Sequence, residues 1–237
     1  MSEELWLAIV LTTLAGLSIP IGAALAVCRI PLLSNVAASE LKHGIVAFGA
    51  GALLAAVALV LVPEGTERLR PGLALFWFGA GALAFAYIDR LLAASGSKAA
   101  QFLAMMMDYL PEAMALGALV TGDLNAAVLV ALLMALQNLP EGFNAMDELR
   151  QNSQRGALAL LGLFALMVPL GPLAAIAGML IDPSGTAIGA VMMLASGGIL
   201  YLMFQDIAPN IPLKNTWAPP LGAVLGFLLG LAGDLLI

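Results

Sequence analysis

Runs of about twenty apolar residues follow one another along almost the whole chain, and most of the charge falls in the short connections between them. A helix needs roughly 20 such residues to cross the hydrocarbon core of a bilayer. Ordinary soluble domains hold only about 45–50% apolar residues; here the share is 62%, with 10% charged. The pattern predicts an all-α integral membrane protein, a single transmembrane domain with almost no mass outside the lipid. Eight spans fit, at 5–28, 43–63, 72–92, 100–121, 124–146, 156–181, 185–205 and 217–236. Only Thr121-Gly122-Asp123-Leu124 joins the fourth to the fifth, so those two form an antiparallel hairpin.

Lys and Arg set the expected orientation. Arg29, Lys42, Arg90, Lys98, Arg150, Arg155 and Lys214 fall on one side, and only Arg68 and Arg70 on the other. The richer side is expected in the cytoplasm, which places both termini outside. Ala24-Leu25-Ala26 resembles a signal-peptide cleavage site. Acidic Glu3 and Glu4 stand where basic residues should precede such a signal, and the run is long enough to span, so an uncleaved first helix is expected. A net charge of −6 without a basic run argues against nucleic acid as a partner. One cysteine, Cys28, and one histidine, His43, exclude an internal disulfide, a Cys-based zinc cluster and a His-rich metal site. Small-residue runs such as Gly49-Ala50-Gly51-Ala52 and Gly79-Ala80-Gly81-Ala82 suit close helix packing.

Two segments break the apolar pattern in the same way. Asp108-Tyr109-Leu110-Pro111-Glu112-Ala113 lies in the fourth span and Gln137-Asn138-Leu139-Pro140-Glu141-Gly142 in the fifth. A charge at the bilayer centre costs about 2.5–3.5 kcal/mol on insertion scales, so such acids need compensation. Residues four apart share a helix face. Asp108 therefore pairs with Glu112, and Gln137 with Glu141, and Asn144 extends that second face. Convergence across the hairpin would gather three carboxylates and two amides, all oxygen donors. Pro111 and Pro140 each remove a helix hydrogen bond, disturbing the carbonyls of Met107 and Leu136. Paired, broken polar helices at the midplane point to a transport site. The competing reading is a pair of proline kinks with protonated acids hydrogen-bonded between helices.

The two segments resemble the fourth and fifth helices of the ZIP (Zrt-/Irt-like) divalent-metal transporters, which carry His-x-x-Pro-Glu-Gly and His- or Gln-x-x-Pro-Glu-Gly. Residues 137–142 match almost completely; residues 108–113 match in Pro and Glu, with Asp for His and Ala for Gly. His43 to Ala56 and Tyr201 to Pro209 are similar, less specifically, to the second and seventh family helices. The resemblance implies that Asp108, Glu112, Gln137 and Glu141 hold a metal, with Asn138 contributing to a second site. It further implies a homodimer in a plasma (bacterial inner) membrane, with one bundle moving against another. Leu53 stands where some members have methionine, and Gly171-Pro172 where others have Glu-Pro, which favours one metal over two.

The expectation is a secondary transporter, not an enzyme, carrying zinc, manganese, ferrous iron or cadmium as substrate toward the cytoplasm. Protonation of the clustered carboxylates would assist release. The alternatives are a non-transporting metal sensor or scaffold and, with less support, a membrane metalloenzyme, for which no His-bearing hydrolytic motif is present. Met105, Asn144, Gln205 and Asp206 are further candidates for the ion pathway, Met105 competing with plain packing. Asp147 and Glu148 would line an exit or form a solvated helix end, and His43 would be interfacial. Pro63-Glu64-Gly65 would cap an outer helix end.

Overall fold

The computed structural model describes residues 2–28, 35–94, 100–181, 185–211 and 216–236; the side chains of 35–39, 100, 101, 104, 152, 206 and 210 are outside that description. Arg29, Lys98 and Lys214, used above to judge sidedness, and the Asp206 side chain lie outside the described residues. All regular structure among the described residues is helical: α1 (Glu3–Val27), α2 (Asn35–Ala55), α3 (Val62–Arg68), α4 (Pro71–Ala94), α5 (Ala100–Val120), α6 (Leu124–Asn152), α7 (Ala157–Ala165), α8 (Leu170–Leu180), α9 (Thr186–Leu202) and α10 (Ala218–Leu236). A π-helical stretch at Ala56–Leu61 joins α2 to α3, and a second, Met203–Ile207, prolongs α9.

Seven helical segments in the described residues are long and apolar enough to cross a membrane. The fold is thus all-α and of membrane type. The hairpin-forming α5, 21 residues long, is not among the seven. Two spans run beyond their expected ends. The second continues as helix, through the π-helical stretch and Pro63-Glu64-Gly65, to Arg68; the segment is no cap, and Glu64 instead pairs with Arg68 one turn on. The fifth continues to Asn152, so Asp147 and Glu148 are helical. Its start follows local rules: Asp123 Oδ1 accepts from the Ala126 N–H at 3.0 Å.

The sixth span is broken rather than continuous, with turns between α7 and α8. Pro169 cannot donate to Ala165, nor Pro172 to Val168. Those carbonyls instead accept from Val168 (3.2 Å) and Gly171 (3.3 Å), which tightens the backbone into three-residue turns. Single prolines do less, and Pro20, Pro111 and Pro140 all sit inside unbroken helices.

Four helix pairs share one kind of joint. In α1/α6, a Cβ on Gly22 would strike the carbonyl of Leu139, and one on Gly142 the carbonyl of Ile19. The same reciprocal contact occurs in α2/α10 (Gly51 on Ala223, Gly226 on Phe48), in α4/α9 (Gly81 on Leu194, Gly197 on Phe78) and in α5/α8 (Gly117 on Ala175, Gly178 on Met114). Each glycine lies against the carbonyl three residues before its partner glycine, so the backbones touch directly. In lipid, where apolar burial does not drive association, such close approach does. The α1/α6 pair runs parallel: Asn138 bonds Ala15 while Arg150 bonds Ala26, further along both helices.

Two groups follow from the contacts. Helices α1, α5, α6, α7 and α8 pack together, and α2, α3, α4, α9 and α10 form the second group. They meet mainly where α2 faces α6 and α5 faces α9. At the first of these seams Gly49 receives the Pro140 ring, so a side chain rather than backbone makes the contact.

Candidate metal centre

The short turn after α5 places α5 and α6 side by side, and both proline-glutamate segments turn inward. Asp108, Glu112, Gln137, Asn138 and Glu141 are all buried, Glu112 and Gln137 with no exposed surface at all. Gln137 Nε2 donates to Glu112 Oε2 at 2.7 Å, linking the two helices at this level. The three carboxyl groups lie within Coulombic reach of one another: Asp108 acts on Glu112, and both act on Glu141. The hairpin therefore brings the four main candidates together.

Few protein partners meet these groups. Asp108 Oδ1 accepts from the Tyr109 backbone N–H at 2.8 Å. Asn138 Nδ2 donates to the Ala15 carbonyl of α1 at 3.1 Å, a carbonyl that also accepts from Ser18 Oγ. Four side-chain oxygens of the set have no hydrogen-bond partner: Glu112 Oε1, Gln137 Oε1, Asn138 Oδ1 and Glu141 Oε2. The ion pairs of Lys42 with Asp147 and of Arg68 with Glu64 do not include them. Each buried ion without compensation costs several kcal/mol, and every orphaned buried acceptor adds its own desolvation cost. Oxygen-only donors of this kind suit hard and borderline divalent cations. In the described arrangement no group of three or more His, Cys, Asp and Glu side chains is drawn together closely enough to hold an ion. The Gln137 amide occupies Glu112 Oε2, and rotating it would free that second carboxylate oxygen.

Other candidates are placed differently. Met105 is buried in the apolar core and packs there. Asn144, half-buried, lines a polar cavity of about 320 Å³ together with Glu141, Asp147, Glu148 and His43. His43 thus faces a cavity within the helix bundle. Gln205 is exposed and faces a shallow depression beside Phe78 and Phe204, away from that cavity. Leu53 is buried in the core.

Gly171 has a steric role. Tyr109, next to Asp108, is wholly buried, and a Cβ on Gly171 or on Gly16 would collide with its hydroxyl. Space that a longer side chain at 171 would fill is taken by the tyrosine. The contribution of α1 went unseen in the sequence, although Pro20 carries the same signature as Pro111 and Pro140: a proline inside an apolar span.

No protein-family model matches the chain, and none of the curated proteins is similar to it. Sequence and structure together define a helical membrane-type protein with a buried, oxygen-rich polar centre on one hairpin.

Proposed function

We propose that the chain is a divergent ZIP-like secondary transporter that passes divalent metal ions toward the cytoplasm. One observation carries this reading: buried carboxylate and amide oxygens of Glu112, Gln137, Asn138 and Glu141 lack any protein partner. A cation supplies the compensation that the protein does not. Asp108, Glu112, Gln137 and Glu141 are its ligands, and Asn138 is held beside them by α1. Eight spans, both termini outside and a homodimer belong to the same proposal, with α5 as the eighth span. The Lys/Arg asymmetry places the Lys42 end of the cavity in the cytoplasm.

Purified protein in liposomes, tested for uptake across manganese, zinc, cadmium, ferrous iron, magnesium and calcium at two pH values, provides the test. Uptake of at least one transition ion, weaker at the lower pH because protons compete for the same oxygens, is the expected result. Binding without flux would assign the chain to sensing, and neither binding nor flux would reduce the centre to protonated acids between kinked helices.

A further inference from the structure

The polar cavity beside α6 begins at Glu141 and continues past Asn144 to Asp147 and Glu148. At 1.5 Å rise per residue these donors succeed one another over about 10 Å of helix. An ion leaving Glu141 along this face meets an amide and then two adjacent carboxylates. Without a counter-charge on Asp147 this stretch would hold a divalent ion more tightly, whereas conduction needs each stop to be weak enough to leave.

Lys42 changes that ladder. Its Nζ lies 2.6 Å from Asp147 Oδ2, reaching from α2 to α6 across the seam between the two helix groups. The same ammonium sits 5.7 Å from the centre of the Phe143 ring. Lysine is part of two walls: it lines the polar cavity, and it lines an apolar one of about 250 Å³ with Leu25, Ile45 and Phe143. Asp147 and Lys42 are 39% and 36% exposed, so water competes for both partners and the pair is exchangeable. A lysine is a mobile point charge on a flexible stem and can leave and return.

We propose that Lys42 is a tethered counter-cation. It occupies Asp147 so that the cavity below Glu141 does not become a second, retentive divalent-cation site. This rests on the transport reading above. A passing ion displaces the ammonium from Asp147, and the ammonium's return expels the ion. Lys42 therefore determines how readily the substrate leaves.

The test measures manganese bound per chain at equilibrium on the purified full-length protein, and manganese efflux from loaded liposomes. Lys42→Gln and Lys42→Met, the latter preserving the aliphatic stem, should each bind about one further manganese ion per chain. Both should release manganese several-fold more slowly than the wild type. Lys42→Arg should keep the wild-type stoichiometry, and Asp147→Asn added to Lys42→Gln should restore it. Folded Lys42→Gln protein with unchanged stoichiometry and release would overturn the counter-cation while leaving the Glu112–Glu141 centre standing. Wild-type protein that binds no manganese or any other panel ion would overturn both. Failure of both Lys42 variants to fold would make the pair a packing element and overturn the proposal.

Discussion

The two ends of the polar centre are built differently. At one end the Lys42–Asp147 pair joins residues 105 positions apart, on two helix groups, and borders a cavity that reaches Glu141. At the other end Arg68 pairs with Glu64 one turn away on the same helix and also donates to the Glu64 carbonyl at 2.7 Å. The nearby cavity of about 240 Å³ is lined by Glu64, Asp123 and Asp234 and by apolar Leu59, Val60 and Leu129, but by none of the buried candidates on α5 and α6. A bond inside one helix moves with that helix and cannot report on a neighbour. One that spans two helix groups must break or re-form when they shift. Among the described residues, the cavity at the Lys42 end is lined by Glu141, whereas the one at the Arg68 end touches none of the buried candidates.

The largest effect should come from the centre that both ends serve. On the proposed reading Glu141→Ala and Glu112→Ala should each lower metal uptake by roughly 100-fold or more while the protein still inserts, because each would remove a ligand rather than a supporting contact. Asp108→Ala should weaken binding less completely. Liposome uptake checks this, and near-normal flux in both glutamate variants would detach the centre from either end.

Next in size is one-sided access. With Cys28 replaced by serine, a cysteine at Asn144 should react with a membrane-impermeant thiol reagent from the Lys42 side only, at least ten times faster than a cysteine at buried Leu133. Labelling at 144 from the Arg68 side would reverse the comparison.

Selectivity should shift more modestly. Asp108→His replaces a hard oxygen donor with a borderline nitrogen donor. Competition uptake at one fixed pH should then move about ten-fold toward zinc and cadmium over manganese. An unchanged profile with flux retained would show that residue 108 does not touch the ion.

Stability separates the two kinds of joint. Gly142→Ala places a methyl against the Ile19 carbonyl, whereas Gly79→Ala meets nothing within 4 Å. The first should lower thermal stability by about 1–3 kcal/mol and the second should leave it unchanged. The smallest effect belongs to the Arg68 end. Breaking its local pair with Arg68→Gln should leave uptake unaltered in the liposome assay, because that pair lies within one helix and touches none of the buried candidates.

Much of the centre was legible beforehand because it depends on local rules. Four-residue spacing aligned Asp108 with Glu112 and Gln137 with Glu141, and a four-residue link made their helices neighbours. What escaped reading depends on distant contacts. The Ala15 carbonyl that holds Asn138 comes from a helix 123 residues away, and Gly171 yields its space to a tyrosine on another helix. The break in the sixth span was written in Pro169 and Pro172, but apolar composition alone reads as continuous helix.

The sequence by itself determined the solvent, the class of structure and the donor types. Its apolar runs require lipid, lipid requires internally bonded helices, and buried acids require compensation. Only the tertiary structure decided which oxygens are left without partners, which glycines touch which carbonyls, and that Lys42 rather than another cation meets Asp147. The physical reason is that hydropathy and helical period act over a few residues, whereas partner identity at a helix crossing depends on how whole helices pack across the fold.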